Sequence, residues 1–567
     1  MPYTFRVIAL DYDGTIALHD RVHPPVLDAI ADLRAQRRKV LLCTGRRIEE
    51  LRAVFPDVDR HFDAIVAENG GMIVMASETI WSAEPIEREL DQALSDAGVP
   101  FERGHVLIAT YSSHADEVRS AIEGLGLEAQ LVYNRGALMV LPPGVSKGSG
   151  LLHAFGLLEV SRHSAIGIGD AENDHSLLHT CEIGVATGNA VHGLKVHADL
   201  CLEQPNGPGV AAFLRGPVLR GDLSIQPSRW QIELGRDTDG TPAQIPGSGV
   251  NVLIAGASCS GKSRLAGLIV ERLVARQYAV CVLDAEGDHA SLEKLAGVIA
   301  MGGQDPLPRP ERIAALVRNR FSSIVIDLSM LAPDAKRAYT AAVIRELHRL
   351  RRERGYPHWI IVEEADQLIP PEGLQIGQDE TPIAHCLVTH RPAVLPEALL
   401  TGVDVVLALP GAERFAHVPA NEEAVSGDGG EQPFLLQPGE ALLTTAKSVM
   451  KFEVGPRTIP HVRHQQKYLH AQVPAHRRFY FGHGDGDRPS AANVAEFSDE
   501  IRRATTNVLR EHLEAGDFSR WVLEVIADDE LGARLRGIER WFHNDPDADV
   551  EAARTAAIAA IRDRYVQ

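Results

Sequence analysis

Short apolar runs alternate with helical patterns through the first 214 residues of the chain. The runs are almost continuously apolar, which is typical of strands that are covered on both faces. Repeated alternation of such strands with helices predicts a doubly wound α/β fold with a parallel sheet. The strand candidates are RVIAL, KVLLC, DAIVAE, SAIGIGD and IGVAT.

The segment from residue 81 to residue 143 carries a smaller pattern of its own. It contains HVLIATY, a helix near Asp116–Gly124, and then AQLVYN and ALMVLPP. Strands and a helix between two parts of a larger sheet predict an inserted α/β subdomain. We therefore expect one domain at residues 1–80 and 144–215, with a subdomain inserted at residues 81–143.

A second alternating block follows the linker RGPVLRGDLSIQPSRW. Its strand candidates predict another α/β domain, which we place at residues 226–457. The last hundred residues have amphipathic helical patterns and predict a mainly helical domain at residues 458–567. The strand candidates of the second block are NVLIAG, AVCVLD, SIVIDLS, HWIIVEE, AHCLVTH and DVVLAL.

The composition is ordinary for a globular protein, with 45% hydrophobic and 24% charged residues. A formal net charge of −20 favours solubility and weighs against a protein that coats nucleic acid. The six cysteines form no Cys-x-x-Cys pair, so we expect reduced core residues. The opening residues lack the zones of a signal peptide, and no apolar stretch approaches about 20 residues, so a cytoplasmic protein is expected.

Polar residues stand where several predicted strands of the first domain end. RVIAL leads into DYDGT, KVLLC into TGR and SAIGIG into GDAEND, while SKG opens a helix. Because ligands of parallel α/β sheets bind outside the carboxyl ends of the strands, these residues are expected to share one crevice. They are Asp11, Asp13, Thr44, Lys147, Asp170, Asn173 and Asp174.

This set fits phosphoryl transfer to a carboxylate. Asp11 can attack phosphorus and form an aspartyl-phosphate. Asp13 can protonate the leaving oxygen and later activate water. Lys147 supplies positive charge where the transition state is anionic, and Thr44 can hold phosphate oxygens.

The carboxylates also offer hard oxygen ligands, which predict a bound Mg²⁺. The ion would offset carboxylate repulsion and orient the phosphoryl group. The predicted metal ligands are Asp11, Asp13, Asp170 and Asp174, and the predicted phosphate-binding residues are Thr44, Gly45, Arg46 and Asn173.

The four motifs resemble those of the haloacid dehalogenase superfamily of phosphatases. The run ENGG at Glu68–Gly71, and a cap between the second and third motifs, are similar to the Cof-type subfamily with a C2-type cap. The resemblance covers about residues 5–214. It implies a Mg²⁺-dependent phosphatase of a small ester, such as a sugar phosphate or phosphoglycolate, and the short cap resembles the phosphoglycolate and sucrose-phosphate phosphatase branches.

A second candidate site lies in NVLIAGASCSGKSRL, where Gly256-x-x-x-x-Gly261-Lys262-Ser263 follows a strand and precedes a helix. This context is typical of a P-loop. Backbone N–H groups at a helix N-terminus can cradle phosphates. Lys262 can reach the β- and γ-phosphates and Ser263 can ligate Mg²⁺, so the motif predicts binding of ATP.

The acidic partner of this loop has two candidates. One is Asp327 in SIVIDLS, and the other is the pair Glu363–Glu364 in HWIIVEEAD. We favour the pair, because two adjacent acids after a strand suit Mg²⁺ coordination together with polarisation of water. Glu364 is then the expected base, and Glu363 the residue nearer the metal.

The second block resembles the HerA/FtsK-like P-loop ATPases through LDAEGDH, VIDLS, VEEAD and VTHRPAVLP, over about residues 226–409. His390 stands where that family usually has Gln. The resemblance implies an ATPase, and relatives are often hexameric DNA translocases. Whether Arg391 holds a nucleotide or caps a helix remains open.

Four functions are consistent with these patterns. The leading hypothesis is a phosphomonoesterase that acts on a small phosphorylated metabolite and is fused to an ATPase. The alternatives are an oligomeric nucleic-acid motor with an accessory phosphatase, a fused kinase and phosphatase, and a regulatory ATP-binding module without turnover. A histidine-rich segment with His461, His464, His470 and His476 favours a polar surface over a metal site, because its spacing matches no common zinc pattern.

Overall fold

The computed structural model describes residues 5–76, 78–258, 260–320, 322–370, 373–374, 384–415, 435–459, 469, 473, 475–482, 488–526, 528–545 and 548–565. Among them, no helix has both the length and the apolar character needed to cross a membrane. His461, His464 and His470 of the histidine-rich segment lie outside the described residues, as does the side chain of His476.

The first part of the chain supplies five of the eight strands of the first sheet and a separate pair, β2 and β3. Its first strand is buried along its whole length, as the continuous apolar run predicts. The elements are β1 (Val7–Asp11), β2 (Ala17–Leu18), β3 (Arg21–Val22), α1 (Pro24–Ala35), β4 (Lys39–Cys43), α2 (Ile48–Val54), α3 (Val58–His61), β5 (Ala64–Ala67), β6 (Met72–Met75) and β7 (Glu78–Trp81).

The inserted subdomain, called the cap below, is a four-stranded antiparallel sheet with two helices. Its second helix turns Val118 and Ile122 into the cap core and ends at Gly126, which has a φ of +64°. The elements are α4 (Glu89–Asp96), β8 (Glu102–Arg103), β9 (Ile108–Tyr111), α5 (Ala115–Leu125), β10 (Gln130–Asn134) and β11 (Ala137–Leu141).

The chain then returns and completes the first sheet. The strand order is β14-β13-β12-β1-β4-β5-β6-β7. The strands from β14 to β5 run parallel, which confirms the predicted parallel α/β sheet of the N-terminal region. The added elements are α6 (Lys147–Leu157), β12 (Ala165–Gly169), α7 (His175–Thr180), β13 (Ile183–Ala186), α8 (His192–His197), β14 (Leu200–Cys201), α9 (Asn206–Leu214) and α10 (Pro217–Arg220).

A second α/β unit contains eleven strands. As in the first sheet, apolar runs form its inner strands, and helices pack on them. The elements are β15 (Ile232–Arg236), β16 (Pro242–Ile245), β17 (Val252–Ala255), α11 (Lys262–Ala275), β18 (Val280–Asp284), β19 (Val298–Gly302), α12 (Pro310–Arg320), β20 (Ser323–Asp327), α13 (Pro333–Arg354), β21 (Trp359–Val362), α14 (Ala365–Leu368), β22 (His385–Thr389), α15 (Glu397–Leu400), β23 (Val405–Ala408), β24 (Glu440–Thr445) and β25 (Val449–Val454).

The second sheet has a parallel part and an antiparallel extension. Its order is β16-β15-β25-β24-β23-β17-β22-β21-β18-β20-β19. The strands from β23 to β19 are parallel, and the remaining four add to one side in antiparallel fashion. Strand β21 is two places from β17, whereas β20 is four places away.

The C-terminal region is mainly helical, as predicted. An aromatic core, with Phe479, Phe497 and Phe518 in mutual contact, holds its helices together. Arg564 and Tyr565 of the last helix bind the buried carboxylate of Asp528. The elements are β26 (Phe479–Tyr480), β27 (Ser490–Ala491), α16 (Val494–Arg503), α17 (Thr506–Ala515), α18 (Asp517–Trp521), α19 (Asp529–Asn544) and α20 (Val550–Tyr565).

The two α/β units meet through a buried polar cluster around Glu182. Its carboxylate accepts hydrogen bonds from the hydroxyls of Ser248 and Tyr278 and lies 2.7 Å from Nδ1 of His163. Its backbone carbonyl accepts from the indole N–H of Trp230 at 2.9 Å. Because these partners come from both units, the cluster joins the two sheets.

Candidate active site

Three carboxylates meet at the carboxyl ends of two neighbouring strands. β1 ends at Asp11, and the turn after β12 carries Asp170 and Asp174. All three are buried, and one oxygen of each lies within 4.8 Å of the others. The backbone N–H groups of Asp170 and Ala171 donate to Oδ2 of Asp174 at 2.9 and 3.0 Å, which fixes the orientation of that carboxylate.

Asp170 packs directly against the backbone of Gly14. The φ of Gly14 is +77°, and a Cβ at this position would lie only 2.3 Å from Oδ2 of Asp170. Both the conformation and the close approach therefore require glycine. Asn189 bridges the two residues, because its Nδ2 donates to the carbonyl of Gly14 at 2.9 Å and to Asp170 at 3.1 Å.

Lys147 is the buried cation of the site. Its ammonium group donates to Oδ1 of Asp11 at 2.5 Å and to Oδ1 of Asp174 at 2.6 Å. The lysine is the first residue of α6, where Ser146 and Ser149 form a reciprocal capping box. Burial lowers the pKa of Lys147, but the two carboxylates outweigh burial, so the pKa lies above its ordinary value and the side chain stays charged.

The carboxylates retain an excess of negative charge. Burial, followed by the neighbouring Asp174, raises the pKa of Asp11 well above its ordinary value. The same two causes raise the pKa of Asp170 to about 6. Three buried carboxylates against one buried ammonium group, with hard oxygen atoms converging, fit Mg²⁺.

Asp13 lies at the edge of this group rather than within it. Its carboxylate is 46% exposed and accepts two hydrogen bonds from the guanidinium of Arg46, at 2.7 and 2.6 Å. Arg46 also donates to Asp20 at 2.6 Å. The side chain of Asp13 is thus not among the three carboxylates that converge in the described part of the chain.

The predicted phosphate-binding residues line the other side of the crevice. Thr44 is buried, and its hydroxyl accepts from the backbone N–H of Arg46 at 3.1 Å. Asn173 donates to Asn69 at 3.1 Å, while its own Oδ1 is buried without a partner among the described residues. A Cβ on Gly45 would lie 3.3 Å from the sulfur of Met139, so the cap closes over this side.

Two residues that the sequence analysis missed also reach the site. Arg135, in the turn between β10 and β11, crosses from the cap and pairs with Asp170. The only local signal for it is a cationic residue in a cap turn. Asn189 stands three residues after the strand IGVA, so the strand-end rule could have found it.

Loop 256–261 and the acids after β21 form a second candidate site. Lys262 begins α11, and its ammonium group donates to the carbonyls of Gly256 and Ala257 at 3.3 and 3.0 Å. Gly261 has a φ of +102°, and Ser263 follows in the first turn of the helix. The start of α11 thus faces the same sheet edge as the residues that follow β21.

The acids after β21 have distinct partners. Glu363 is buried, with Oε1 2.7 Å from Nε2 of His289, a residue that the sequence analysis did not single out. Burial raises the pKa of Glu364, although Lys262 acts on it in the opposite direction. Glu364 follows β21, which lies two places from β17 in the sheet, whereas Asp327 ends β20, which lies four places away.

His390 and Asp366 lie close to Glu364. His390 lies with Nδ1 3.2 Å from Oε2 of Glu364. Arg391 donates to Oδ2 of Asp366 through both Nε and Nη2, at 2.9 and 2.7 Å. Oxygen or nitrogen atoms of Glu364, Asp366 and His390 lie within 4.8 Å of one another. Arg391 is therefore engaged with an acid of its own unit.

The capped parallel sheet with its carboxylates and buried lysine defines a phosphatase-type hydrolase. The family of haloacid dehalogenase-like hydrolases matches residues 8–112 and 100–214. Phosphoglycolate phosphatase 2 of Saccharolobus solfataricus is 30% identical over 221 residues, which are 37% of this chain and 90% of that protein. Phosphoglycolate phosphatase of Methanopyrus kandleri is 32% identical over 223 residues, which are 37% of this chain and 95% of that protein.

The family match and these relatives all cover the N-terminal region. Through its first 220 residues or so, the chain belongs to the haloacid dehalogenase-like hydrolases. A solved haloacid dehalogenase-like hydrolase from B. subtilis is 18% identical, with a TM-score of 0.33. That match covers 37% of this chain and 99% of the solved one.

Proposed function

We propose that the N-terminal region hydrolyses a small phosphate monoester with Mg²⁺, through an aspartyl-phosphate on Asp11. The observation that carries this proposal is the position of Lys147 between Asp11 and Asp174. It holds one oxygen of the nucleophile in place and leaves buried negative charge for a divalent cation. Asp11, Asp170 and Asp174 would hold that ion, which neutralises charge on the phosphoryl group.

The first step joins Asp11 to phosphorus. A carboxylate oxygen of Asp11 forms a bond to phosphorus while the bond from phosphorus to the ester oxygen breaks, and Asp13 gives its proton to that leaving oxygen. In the second step Asp13 takes a proton from water as the water oxygen bonds to phosphorus. The bond between Asp11 and phosphorus then breaks, which releases inorganic phosphate and restores the carboxylate of Asp11 and the protonated acid of Asp13.

The proposed substrate class is a short, anionic ester such as phosphoglycolate, with sugar phosphates as the alternative. Support comes from the relatives, which are named phosphoglycolate phosphatases and are covered over nine tenths of their length. The cap also contacts the loop that carries the phosphate-binding candidates, because Met139 packs against Gly45.

The test measures phosphate release from a panel of esters with and without Mg²⁺. Asp11→Asn keeps the shape of the side chain and removes the nucleophile, so turnover should fall by at least about 10³-fold. Asp32→Asn, on an exposed part of α1, is the matched control and should retain full turnover. Phosphate release that survives Asp11→Asn would overturn the proposal.

We also propose that the second unit binds and hydrolyses ATP. The arrangement that supports this is Lys262 at the start of α11, which follows β17, with Glu364 after β21 at the same edge of the parallel sheet. In this proposal Gly256, Gly261 and Lys262 hold the phosphates. Ser263 and Glu363 serve a Mg²⁺ ion, and Glu364 polarises the attacking water.

Replacing Lys262 distinguishes ATP hydrolysis from ester hydrolysis. Lys262→Ala should abolish ATP hydrolysis and leave ester hydrolysis intact, whereas the exposed Lys294→Ala should change neither. Stimulation of ATP hydrolysis by DNA, together with a ring-sized particle, would favour the nucleic-acid motor. Transfer of phosphate from ATP to an organic acceptor would favour the fused kinase. ATP hydrolysis that persists in Lys262→Ala contradicts the proposed site.

A further inference from the structure

The cap contributes one cation to the carboxylate cluster. Arg135 sits in the two-residue turn between β10 and β11, with a φ of +47°. Its guanidinium pairs with Oδ2 of Asp170 and lies 3.5 Å from the carbonyl of Asn189. Its backbone N–H donates to Glu172 at 3.4 Å, which holds the turn against the core.

The other cations of the crevice already have carboxylate partners that do not depend on the cap. Lys147 bridges Asp11 and Asp174, and Arg46 pairs with Asp13. Arg135 differs because its only described carboxylate partner at the cluster is Asp170, an acid that the proposed Mg²⁺ needs. The guanidinium is also 48% exposed, whereas Asp170 is fully buried.

A divalent ion at the cluster competes with Arg135 for Asp170. A dication held by the three converging carboxylates would outweigh one half-exposed arginine side chain, because its charge is twice as large. Arg135 would then lose its carboxylate partner in the cluster. A planar guanidinium suits a carboxylate, which it can bind through two parallel hydrogen bonds.

We propose that Arg135 is a specificity-determining residue that binds a second anionic group of the substrate, a carboxylate such as that of phosphoglycolate. The proposal deepens the phosphatase function proposed above and rests on it. With the phosphoryl group on Asp11, Arg135 reaches the same carboxylate cluster from the cap and is placed to meet a group attached to the phosphate through one or two carbons. Arg135 selects for that group and takes no part in the bond changes at phosphorus.

The experiment compares two esters that differ only in the second group. Phosphoglycolate carries a carboxylate, and 2-hydroxyethyl phosphate carries a hydroxymethyl group in its place. Arg135→Ala should raise KM for phosphoglycolate about 10- to 100-fold, the range expected for hydrogen bonds to a charged group. KM for 2-hydroxyethyl phosphate, and kcat for both esters, should change less than about threefold.

Two further variants sharpen the comparison. Arg135→Lys keeps the charge without the planar fork, so it should recover part of the preference for phosphoglycolate. Arg119→Ala removes an exposed arginine of the cap that pairs with Asp116, and it should change neither KM. If Arg135→Ala weakens both esters equally, the inference fails while the phosphatase function stands. If wild type hydrolyses neither ester but releases phosphate from another ester of the panel, the inference fails while the phosphatase function stands. If wild type hydrolyses no ester of the panel, the proposed function itself fails.

Metal binding gives a readout that needs no turnover. Because Arg135 competes with the ion for Asp170, Arg135→Ala should bind Mg²⁺ at least about threefold more tightly than wild type, as calorimetry without substrate measures. Arg119→Ala should bind Mg²⁺ like wild type. Weaker or unchanged Mg²⁺ binding by Arg135→Ala contradicts the exchange of partners.

Discussion

Nε2 of His163 lies 2.9 Å from the backbone carbonyl oxygen of Arg276. His163 stands just before β12, which leads to Asp170, and Arg276 follows the last residue of α11, which begins at Lys262. One imidazole therefore connects the strand that serves the phosphatase site with the helix that serves the second candidate site. The ring also stacks on Tyr278, with centroids 3.7 Å apart.

Removing this imidazole should destabilise the junction between the two units. His163→Ala deprives the buried Glu182 of one hydrogen-bond partner, and loss of a partner by a buried polar group costs about 1–3 kcal/mol. The exposed pair of His105 and Glu49 is the matched control, because His105→Ala should cost less than about 1 kcal/mol. Denaturant titration measures both, and equal losses would contradict a special role for the junction.

The strands and the ends from which the site residues project follow from local patterns. β1, β4 and β12 are buried apolar runs, and a polar residue directly after such a run can be recognised without knowledge of the rest of the chain. Asp11 and Asp170 can therefore be predicted from the sequence alone. The same reasoning located Lys262 at the start of its helix.

The contacts that cross between units could not be read in this way. Arg135 reaches Asp170 only because the cap docks on the core, and Glu182 meets Ser248 and Tyr278 only because two sheets pack together. Such contacts join residues that are 35 to 96 positions apart. The hydrophobic periodicity of the sequence does not predict these contacts, because they depend on how helices and strands pack against one another.

Mg²⁺ binding should strengthen as the pH rises through about 6. The folded, metal-free protein holds a proton on Asp170 more tightly than the unfolded chain, because burial raises the pKa of Asp170 from 3.8 to about 6. The group therefore stabilises the metal-free fold at low pH, and this contribution is lost as the pH rises from about 4 to 6. Over the same pH range Asp170 loses its proton and becomes available as a ligand for Mg²⁺.

The difference in melting temperature between samples with Mg²⁺ and with a chelator measures this effect. It should be small at pH 5 and larger at pH 7. Asp170→Asn should remove most of the difference at both values, whereas Asp32→Asn should leave it unchanged. A difference that is the same at pH 5 and pH 7 would show that protons and the ion do not compete.

Lys147→Met should reduce ester hydrolysis strongly. The variant keeps the length of the side chain and removes the charge that contacts Asp11 and Asp174, and loss of one such group reduces kcat by about 10²–10³-fold. Lys39→Met, which removes a lysine that pairs with Asp63 on the surface, should retain kcat. Steady-state kinetics distinguish the two, and an unchanged kcat in Lys147→Met would exclude the electrostatic role.

Gly14→Ala should disable the metal site through sterics alone. The new Cβ would lie 2.3 Å from Oδ2 of Asp170, and the φ of +77° disfavours any side chain, so either the loop or the carboxylate must move. Gly98→Ala is the matched control, because Gly98 has a similar φ of +69° but no atom within 4 Å of its Cβ position. Both variants should lose about 1 kcal/mol of stability from the backbone. Only Gly14→Ala should lose Mg²⁺ binding by calorimetry, and equal Mg²⁺ affinity in the two variants would contradict the tight contact between Gly14 and Asp170.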